Sequence, residues 1–166
     1  VCTHIDIYRH KDTMQVADIC ALLIMEKHPV LVNVDIGGLG AGVYDRLIQL
    51  GYGHVVRGIN FGGSPQNDKK YLNKRAEMWG EMRDWLNSPP VKIPDMDDLH
   101  ADLATPTYDF NHKQQLRLEG KDDIKKRGLK SPDCGDALAL TFAQTYIPTQ
   151  SHFKNNMRTK CNLLLG

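Results

Sequence analysis

The stretch that decides the fold is Pro29-Val30-Leu31-Val32-Asn33-Val34-Asp35-Ile36-Gly37-Gly38-Leu39-Gly40-Ala41-Gly42. Its first half is a short apolar run rich in β-branched residues, which is typical of a strand buried on both faces. The run ends in one carboxylate, Asp35, and a glycine-rich turn follows directly. Because ligands bind at the carboxyl ends of the strands in open α/β sheets, the sequence places Asp35 at an edge where a site is expected.

Three interpretations of this turn compete. A nucleotide-binding fingerprint needs G-x-G-x-x-G, but Gly38, Gly40 and Gly42 give G-x-G-x-G, and Asp35 would repel a phosphate; no P-loop motif occurs in the chain either. In the simplest interpretation, Asp35 only ends a strand and caps the turn. In the third, Asp35 is a metal-binding carboxylate that needs partners from elsewhere in the chain.

Length and composition indicate one ordinary soluble domain. The chain has 166 residues, of which 41% are hydrophobic and 25% charged, with a formal net charge of +1. No apolar run approaches a membrane span, and we expect no signal peptide. The chain has four cysteines, Cys2, Cys20, Cys134 and Cys161, and they form no C-x-x-C pair. This spacing argues against a zinc site and a disulfide framework, and it favours a reducing, cytoplasmic setting.

Apolar periodicity predicts strands and helices that alternate along the chain. Strands are predicted over residues 1–9, 29–36 and 54–61, helices over 13–28, 43–50, 69–86 and 95–103, and a hairpin over 108–119. Asp12 is the predicted N-cap of the first helix. This alternation predicts an α/β fold in which helices cover both faces of a central sheet.

The last predicted helix carries two further candidate carboxylates. Ser131 is its expected N-cap and Pro132 its first residue. Asp133 and Asp136 are three residues apart, so they share one helix face. Acidic residues near a helix N-terminus are common because they complement the helix dipole, yet two of them on a face of small residues also fit a metal-binding edge.

A basic run leads into that helix. Between residues 113 and 130 there are seven lysines and arginines against three acidic residues. Such a run is usually a solvated face, but positive charge beside an acidic site is what a phosphodiester substrate requires. The candidate nucleic-acid-binding residues are Lys121, Lys125, Lys126, Arg127 and Lys130.

Together, these features suggest hydrolysis of nucleic acid. Carboxylate clusters without His or Cys suit Mg²⁺ or Mn²⁺. Two such ions about 3.5–4 Å apart can stabilise both the attacking water and the leaving oxygen of a phosphodiester. Asp35, Asp133 and Asp136 are therefore the candidate metal-binding and catalytic residues.

Several motifs, in this order, resemble the nuclease domain of the large terminase subunit of tailed bacteriophages. They are Val34-Asp35-Ile36-Gly37-Gly38-Leu39-Gly40-Ala41-Gly42-Val43-Tyr44-Asp45-Arg46-Leu47, Val56-Arg57-Gly58-Ile59-Asn60-Phe61-Gly62, Asn73-Lys74-Arg75-Ala76-Glu77-Met78-Trp79, residues 121–127, and Ser131-Pro132-Asp133-Cys134-Gly135-Asp136-Ala137-Leu138. The resemblance implies an RNase H-like fold with a central mixed sheet flanked by helices. It implies a nuclease domain over residues 1–146 and a tail or docking extension over 147–166.

The resemblance also implies roles for these residues. Asp35 would be the metal ligand on the second catalytic strand, and Asp133, with Asp136 beside it, would supply the helix ligand; Asp133 is the favoured direct ligand. By position, Lys121 and Arg127 would face phosphate. The family's first catalytic Asp lies upstream of where this chain begins, so we expect the first strands to be lacking and cleavage by this chain alone to be weak or nil.

In such a protein the substrate would be double-stranded viral DNA in the bacterial cytoplasm. The implied partners are the terminase ATPase domain, the small terminase subunit and the portal protein. Two alternatives stay open, namely a nuclease similar to Holliday-junction resolvases and an inactive RNase H-like module that binds DNA or protein. An enzyme acting on small molecules is disfavoured because the sequence shows no nucleophile–histidine pattern.

Overall fold

The structure is a computed structural model that describes residues 1–144 and the backbone of residues 161–163. Its elements, in chain order, are α1 (Thr13–Lys27), β1 (Val32–Asp35), α2 (Gly40–Gln49), a 3-10 turn (Tyr52–His54), β2 (Val56–Ile59), α3 (Lys74–Leu86), α4 (Asp97–Ala104), β3 (Tyr108–Phe110), β4 (Leu116–Leu118), α5 (Lys121–Lys126), α6 (Asp133–Leu140) and β5 (Cys161–Leu163). The α/β fold class predicted from the sequence is confirmed.

The central sheet is parallel, with strand order β2-β1-β5. Its middle strand is β1, whose last residue, Asp35, pairs with Ile59 at the end of β2. The predicted hairpin is also present, and β3 and β4 pair in antiparallel fashion as a second, two-stranded sheet. Among the described residues, the parallel and antiparallel strands thus lie in two small sheets and not in one mixed sheet.

The two faces of β1 pack against different helices. Val32 and Val34 point into an apolar cluster formed with α1, α2 and β2. Asn33 alternates with these valines and is buried on the other face, where its Nδ2 donates a 2.9 Å hydrogen bond to the carbonyl oxygen of Leu140 at the end of α6. This bond connects β1 to the helix that carries Asp133 and Asp136.

A second apolar cluster holds α6 in place. It unites residues of α3, α4 and α6 with Ile59 of β2, and its fully buried members include Met78, Leu99 and Leu140. Gly135 of α6 lies so close to the ring of Trp79 that an added Cβ would be 2.8 Å from the ring. Because interiors pack this densely, α3 and α6 have a fixed separation.

The helix starts follow their capping residues. Asp12 accepts a hydrogen bond from the backbone N–H of Gln15, as predicted for α1. The helix predicted from residue 69 begins only at Lys74, because the side chain of Asn73 caps it by accepting from the N–H of Ala76. The residues just before this cap extend toward the hairpin, where Tyr71 forms a bridge with Leu116.

The strand predicted over residues 1–9 is wrong, because this segment has no regular secondary structure. Its alternating side chains predict a strand only if a sheet edge is available for pairing. Instead, the N–H of Cys2 donates to the carbonyl oxygen of Lys92, and Ile5 packs against the cluster between α3 and α6. The segment is therefore held by apolar contacts and not by a ladder of backbone hydrogen bonds.

The predicted boundary at residue 146 lies outside the described residues, as does most of the predicted extension over 147–166. Within that extension, Cys161–Leu163 forms β5, which pairs with β1. Within the part of the chain that the structure describes, no helix has the length and apolar character needed to cross a membrane.

Candidate functional site

The glycine-rich turn after β1 holds the Asp35 carboxylate at the edge of the sheet. Asp35 Oδ1 accepts a 2.9 Å hydrogen bond from the N–H of Gly37. Gly38 has φ +64°, a conformation that side chains rarely adopt, and a Cβ at Gly40 would lie 1.8 Å from the Asp35 carbonyl oxygen. The glycines therefore serve the tight turn and the close approach of α2 to β1.

Helix α6 brings a second carboxylate, Asp136, which is completely buried. Its Oδ1 accepts hydrogen bonds from Arg75 Nε at 2.9 Å and from Trp79 Nε1 at 2.7 Å. Its Oδ2 has no hydrogen-bond partner of acceptable geometry among the described residues, although Lys121 Nζ lies 2.9 Å away. A buried carboxylate needs such compensation because burial without it is costly.

Lys121, the first residue of α5, places its ammonium group between the two acidic side chains of α6. The Nζ atom is 2.9 Å from Asp136 Oδ2 and 3.6 Å from Asp133 Oδ1. The Asp133 side chain is about half exposed (48%), whereas Asp136 is buried. The ammonium group therefore shows where a cation lies against these carboxylates.

The charge of Asp35 is coupled to the same groups. Burial raises the pKa of Asp35, and the negative charge of Asp136 adds to this effect. The N–H of Gly37 and the positive charges of Lys121 and Arg75 oppose it by favouring the ionised carboxyl. The end of β1 and the start of α6 thus form one electrostatic cluster.

The predicted N-cap at Ser131 is wrong. The N-cap of α6 is Pro132, which has no side-chain hydrogen bond to offer. Instead Asp102 of α4 reaches across, and its Oδ2 accepts from the N–H of Cys134 at 2.7 Å and of Gly135 at 3.2 Å. Burial raises the pKa of Asp102, while these two hydrogen bonds oppose the rise.

The five candidate nucleic-acid-binding residues have different surroundings. Lys121 faces the carboxylates, and Arg127 bonds to Glu119 through two hydrogen bonds and to the carbonyl oxygen of Thr105. Lys126 pairs with Asp123 on the surface of α5. Lys125 and Lys130 are exposed. Exposed lysines without a buried partner are the ones that can exchange their counterions for phosphate.

The donor chemistry fits a hard divalent cation, but the described side chains do not form a complete cage. Carboxylate oxygens are the ligands that Mg²⁺ and Mn²⁺ prefer, and Oδ2 of buried Asp136 has no hydrogen bond of acceptable geometry among the described residues, only the ion pair with Lys121. Within residues 1–144, however, no three His, Cys, Asp or Glu side chains are close enough together to hold a metal. Asp35 and Asp136 could supply two ligands, with Asp133 at the exposed side.

Sequence reasoning did not find Arg75, Trp79 and Asp102 as parts of this cluster. Arg75 and Trp79 both lie in the stretch Asn73–Trp79 that resembles a terminase motif, and Trp79 is buried. One available signal was that the N–H of a buried Trp usually needs a hydrogen-bond partner. The partner itself lies 57 residues away, so no local pattern identifies it.

Comparison with solved structures places the chain in a known fold. The fold is RNase H-like, a mixed α/β arrangement of helices and small sheets. Within that class, the chain is similar to the nuclease domain of the large terminase subunit of bacterial virus Sf6, at 22% identity and a TM-score of 0.61 over 79% of this chain and 72% of that chain. This likeness confirms the RNase H-like fold that the motifs implied.

Two further structures of the Sf6 large terminase subunit, one of its nuclease domain and one described as gp2c, are of a variant and were solved with ions. One contains manganese and beta-thujaplicinol and has a TM-score of 0.64, with 20% identity over 80% of this chain and 73% of that chain. The other contains calcium and has a TM-score of 0.62, with 20% identity over 78% and 71%. No family model and no curated protein matches this sequence.

Proposed function

We propose that this chain is a metal-dependent endonuclease domain that cleaves double-stranded DNA, as in the large subunit of a phage DNA-packaging terminase. The observation that carries the proposal is that the buried Asp136 carboxylate faces a cation, the Lys121 ammonium at 2.9 Å, while the charges of both groups act on Asp35 at the end of β1. The RNase H-like fold and the manganese and calcium in the similar Sf6 structures support it.

In this proposal, Asp35 and Asp136 would each supply one carboxylate to Mg²⁺ or Mn²⁺, with the half-exposed Asp133 close by and water filling the other positions. When bound, such ions lower the pKa of a water nucleophile and stabilise the leaving oxygen of a phosphodiester, and a two-ion site is the proposed form. The contributions of this chain are positional. The turn fixes Asp35, and the packing of α6 against α3 and β1 fixes Asp136.

DNA would approach over the basic surface of α5 and the loop after it. The exposed lysines of this surface are Lys125, Lys126 and Lys130. The same helix begins at Lys121, whose ammonium contacts the carboxylate of Asp136. Lysines of this kind bind backbone phosphates and carry no sequence information. The choice of cleavage position would then come from the implied partners, which are the terminase ATPase domain, the small subunit and the portal protein in the bacterial cytoplasm.

Nicking of supercoiled plasmid DNA tests this function, because a single cut changes the mobility of the whole molecule. We expect slow nicking in Mn²⁺ that stops with a chelator and in the Asp35→Asn variant, which keeps the shape of the side chain but loses its charge. Asp18→Asn, at an exposed acidic residue of α1, is the matched control and should nick like the parent. Nicking that is equal in the Asp35→Asn variant would contradict the proposal.

The same assay separates the alternatives. A resolvase-like nuclease would prefer a four-way junction over linear duplex of equal length. An inactive binding module would retard DNA in a gel, in the parent and the Asp35→Asn variant alike, without any metal-dependent cleavage.

A further inference from the structure

The two oxygens of the Asp136 carboxylate have different environments. Oδ1 receives two hydrogen bonds, from Arg75 Nε and Trp79 Nε1. Oδ2 receives none of acceptable geometry among the described residues and faces the ammonium of Lys121. The carboxylate therefore turns one oxygen toward α3 and the other toward the cation.

Both donors come from one face of α3. Arg75 and Trp79 are four residues apart, so they are neighbours on the helix surface, and the guanidinium carbon lies 5.7 Å from the centre of the Trp79 ring. Arg75 is buried and is itself held by a 2.8 Å hydrogen bond from Nη1 to the carbonyl oxygen of Glu119. Neither donor can swing away without leaving a buried polar group unpaired, which is costly.

We infer that Arg75 and Trp79 are positioning residues that fix the Asp136 carboxylate and reserve Oδ2 for a metal ion. The inference rests on the proposed function, since it assigns roles at the same site. Hydrogen bonds from neighbouring groups orient metal ligands and commonly change metal affinity by about 10–100-fold when removed. We call this pair of donors the Asp136 clamp.

The Trp79→Phe variant tests the clamp, because it removes the indole N–H and keeps an aromatic ring. We expect its Kd for Mn²⁺, measured by calorimetry, to rise about tenfold, since Oδ1 loses one of its two donors and the carboxylate can rotate. Arg75→Lys keeps the charge but loses the fork of donors, so it should weaken Mn²⁺ binding as well.

Trp85→Phe is the matched control. Trp85 lies on the same helix and contacts Phe142, with ring centres 5.5 Å apart. It has no hydrogen bond to Asp136, so this variant should bind Mn²⁺ within about twofold of the parent. A purely structural role for Trp79 would lower the melting temperature of Trp79→Phe and leave its Mn²⁺ affinity unchanged.

A second measurement needs no cleavage and no Trp79 variant. The chain has two tryptophans, so its nitrogen–proton NMR spectrum contains two indole signals, which the Trp85→Phe variant assigns. In the metal-free protein, Asp136→Asn should move the Trp79 signal and leave the Trp85 signal in place. Addition of Mg²⁺ to the parent should likewise move the Trp79 signal alone.

The outcomes distinguish the clamp from the proposed function. Mn²⁺ binding by the parent that is equally tight in Trp79→Phe overturns the clamp and leaves the nuclease proposal standing. If the chemical shift of the Trp79 indole signal is unchanged in Asp136→Asn, the clamp is overturned whether or not the protein binds metal. A parent that binds no Mn²⁺ overturns both. If Trp79→Phe does not fold, the Mg²⁺ titration decides, because an unmoved Trp79 signal in the Mg²⁺-bound parent overturns the clamp.

Discussion

Lys121 is the residue that most directly links the electrostatics of the site to the proposed metal binding. Its ammonium lies 2.9 Å from Asp136 Oδ2 and 3.6 Å from Asp133 Oδ1, where a divalent ion would also be attracted. A single positive charge at this position offsets the buried carboxylate when no metal is bound. A divalent ion must therefore compete with this side chain or displace it.

We predict that Lys121→Ala lowers the stability of the metal-free protein and strengthens its response to Mn²⁺. The loss of the partly exposed ion pair should cost about 1–2 kcal/mol, and the vacated position should favour the added ion. The rise in melting temperature on addition of Mn²⁺ should then exceed that of the parent. Lys125→Ala, on the exposed side of α5, is the control; an equal rise in Lys121→Ala and the parent would show that the lysine does not compete.

At the scale of elements, the loop after β2 is held to α3 by one buried acid. Glu77 accepts hydrogen bonds from the N–H of Asn67 at 2.8 Å and of Gln66 at 3.0 Å, and Lys74 Nζ lies 2.6 Å from its Oε2. Burial acts to raise the pKa of Glu77. The ammonium group and the two N–H donors outweigh it, so the pKa is lowered from the ordinary value.

The Glu77→Gln variant tests this support. Because the pKa of Glu77 is lower in the folded state, its carboxylate stabilises the fold above the unfolded pKa, and this stability is lost as the pH falls through the folded pKa. We predict a free energy of unfolding about 1–3 kcal/mol lower than the parent at pH 7. The difference should shrink below about pH 4.

Urea unfolding at several pH values measures this difference. Glu81→Gln, four residues along the same helix, is the control. Glu81 is exposed to solvent along part of its side chain, but partial desolvation of its carboxyl and the charge of Glu77 raise its pKa. This variant should not lose stability at neutral pH. A Glu77→Gln deficit that stays constant from pH 7 to pH 3 would mean that the ionised carboxylate is not the source of the support.

The elements themselves were largely predictable, because apolar periodicity and caps are local. The run before Asp35 predicted β1, and Asp12 predicted the start of α1. The strand over residues 1–9 failed because alternation does not say whether a sheet edge is free. The cap at Ser131 failed because the capping group, Asp102, comes from another helix.

At the scale of the whole molecule, the sequence indicated candidate carboxylates but not the contacts that hold them in place. Asp35 was a candidate because it ends a predicted strand, and Asp136 because it pairs at i,i+3 with Asp133 on α6. In the folded chain the charge of Asp136 acts on Asp35. The contacts that set their orientation connect residues 57 to 61 positions apart, where no periodicity exists. The sequence favours Asp133 as the direct ligand, and this stays a prediction; which of the two acids turns inward is decided by packing, and the buried one is Asp136.

The central claim is that Asp35 and Asp136 share one divalent cation. Calorimetric titration with Mn²⁺ tests this claim without requiring cleavage. The proteins to compare are the parent and the variants Asp35→Asn, Asp136→Asn and Asp133→Asn. The account predicts that the parent binds Mn²⁺, that either of the first two substitutions abolishes binding, and that Asp133→Asn weakens it less, since its side chain is half exposed. Mn²⁺ binding that survives both Asp35→Asn and Asp136→Asn, or its absence from the parent, would contradict the claim.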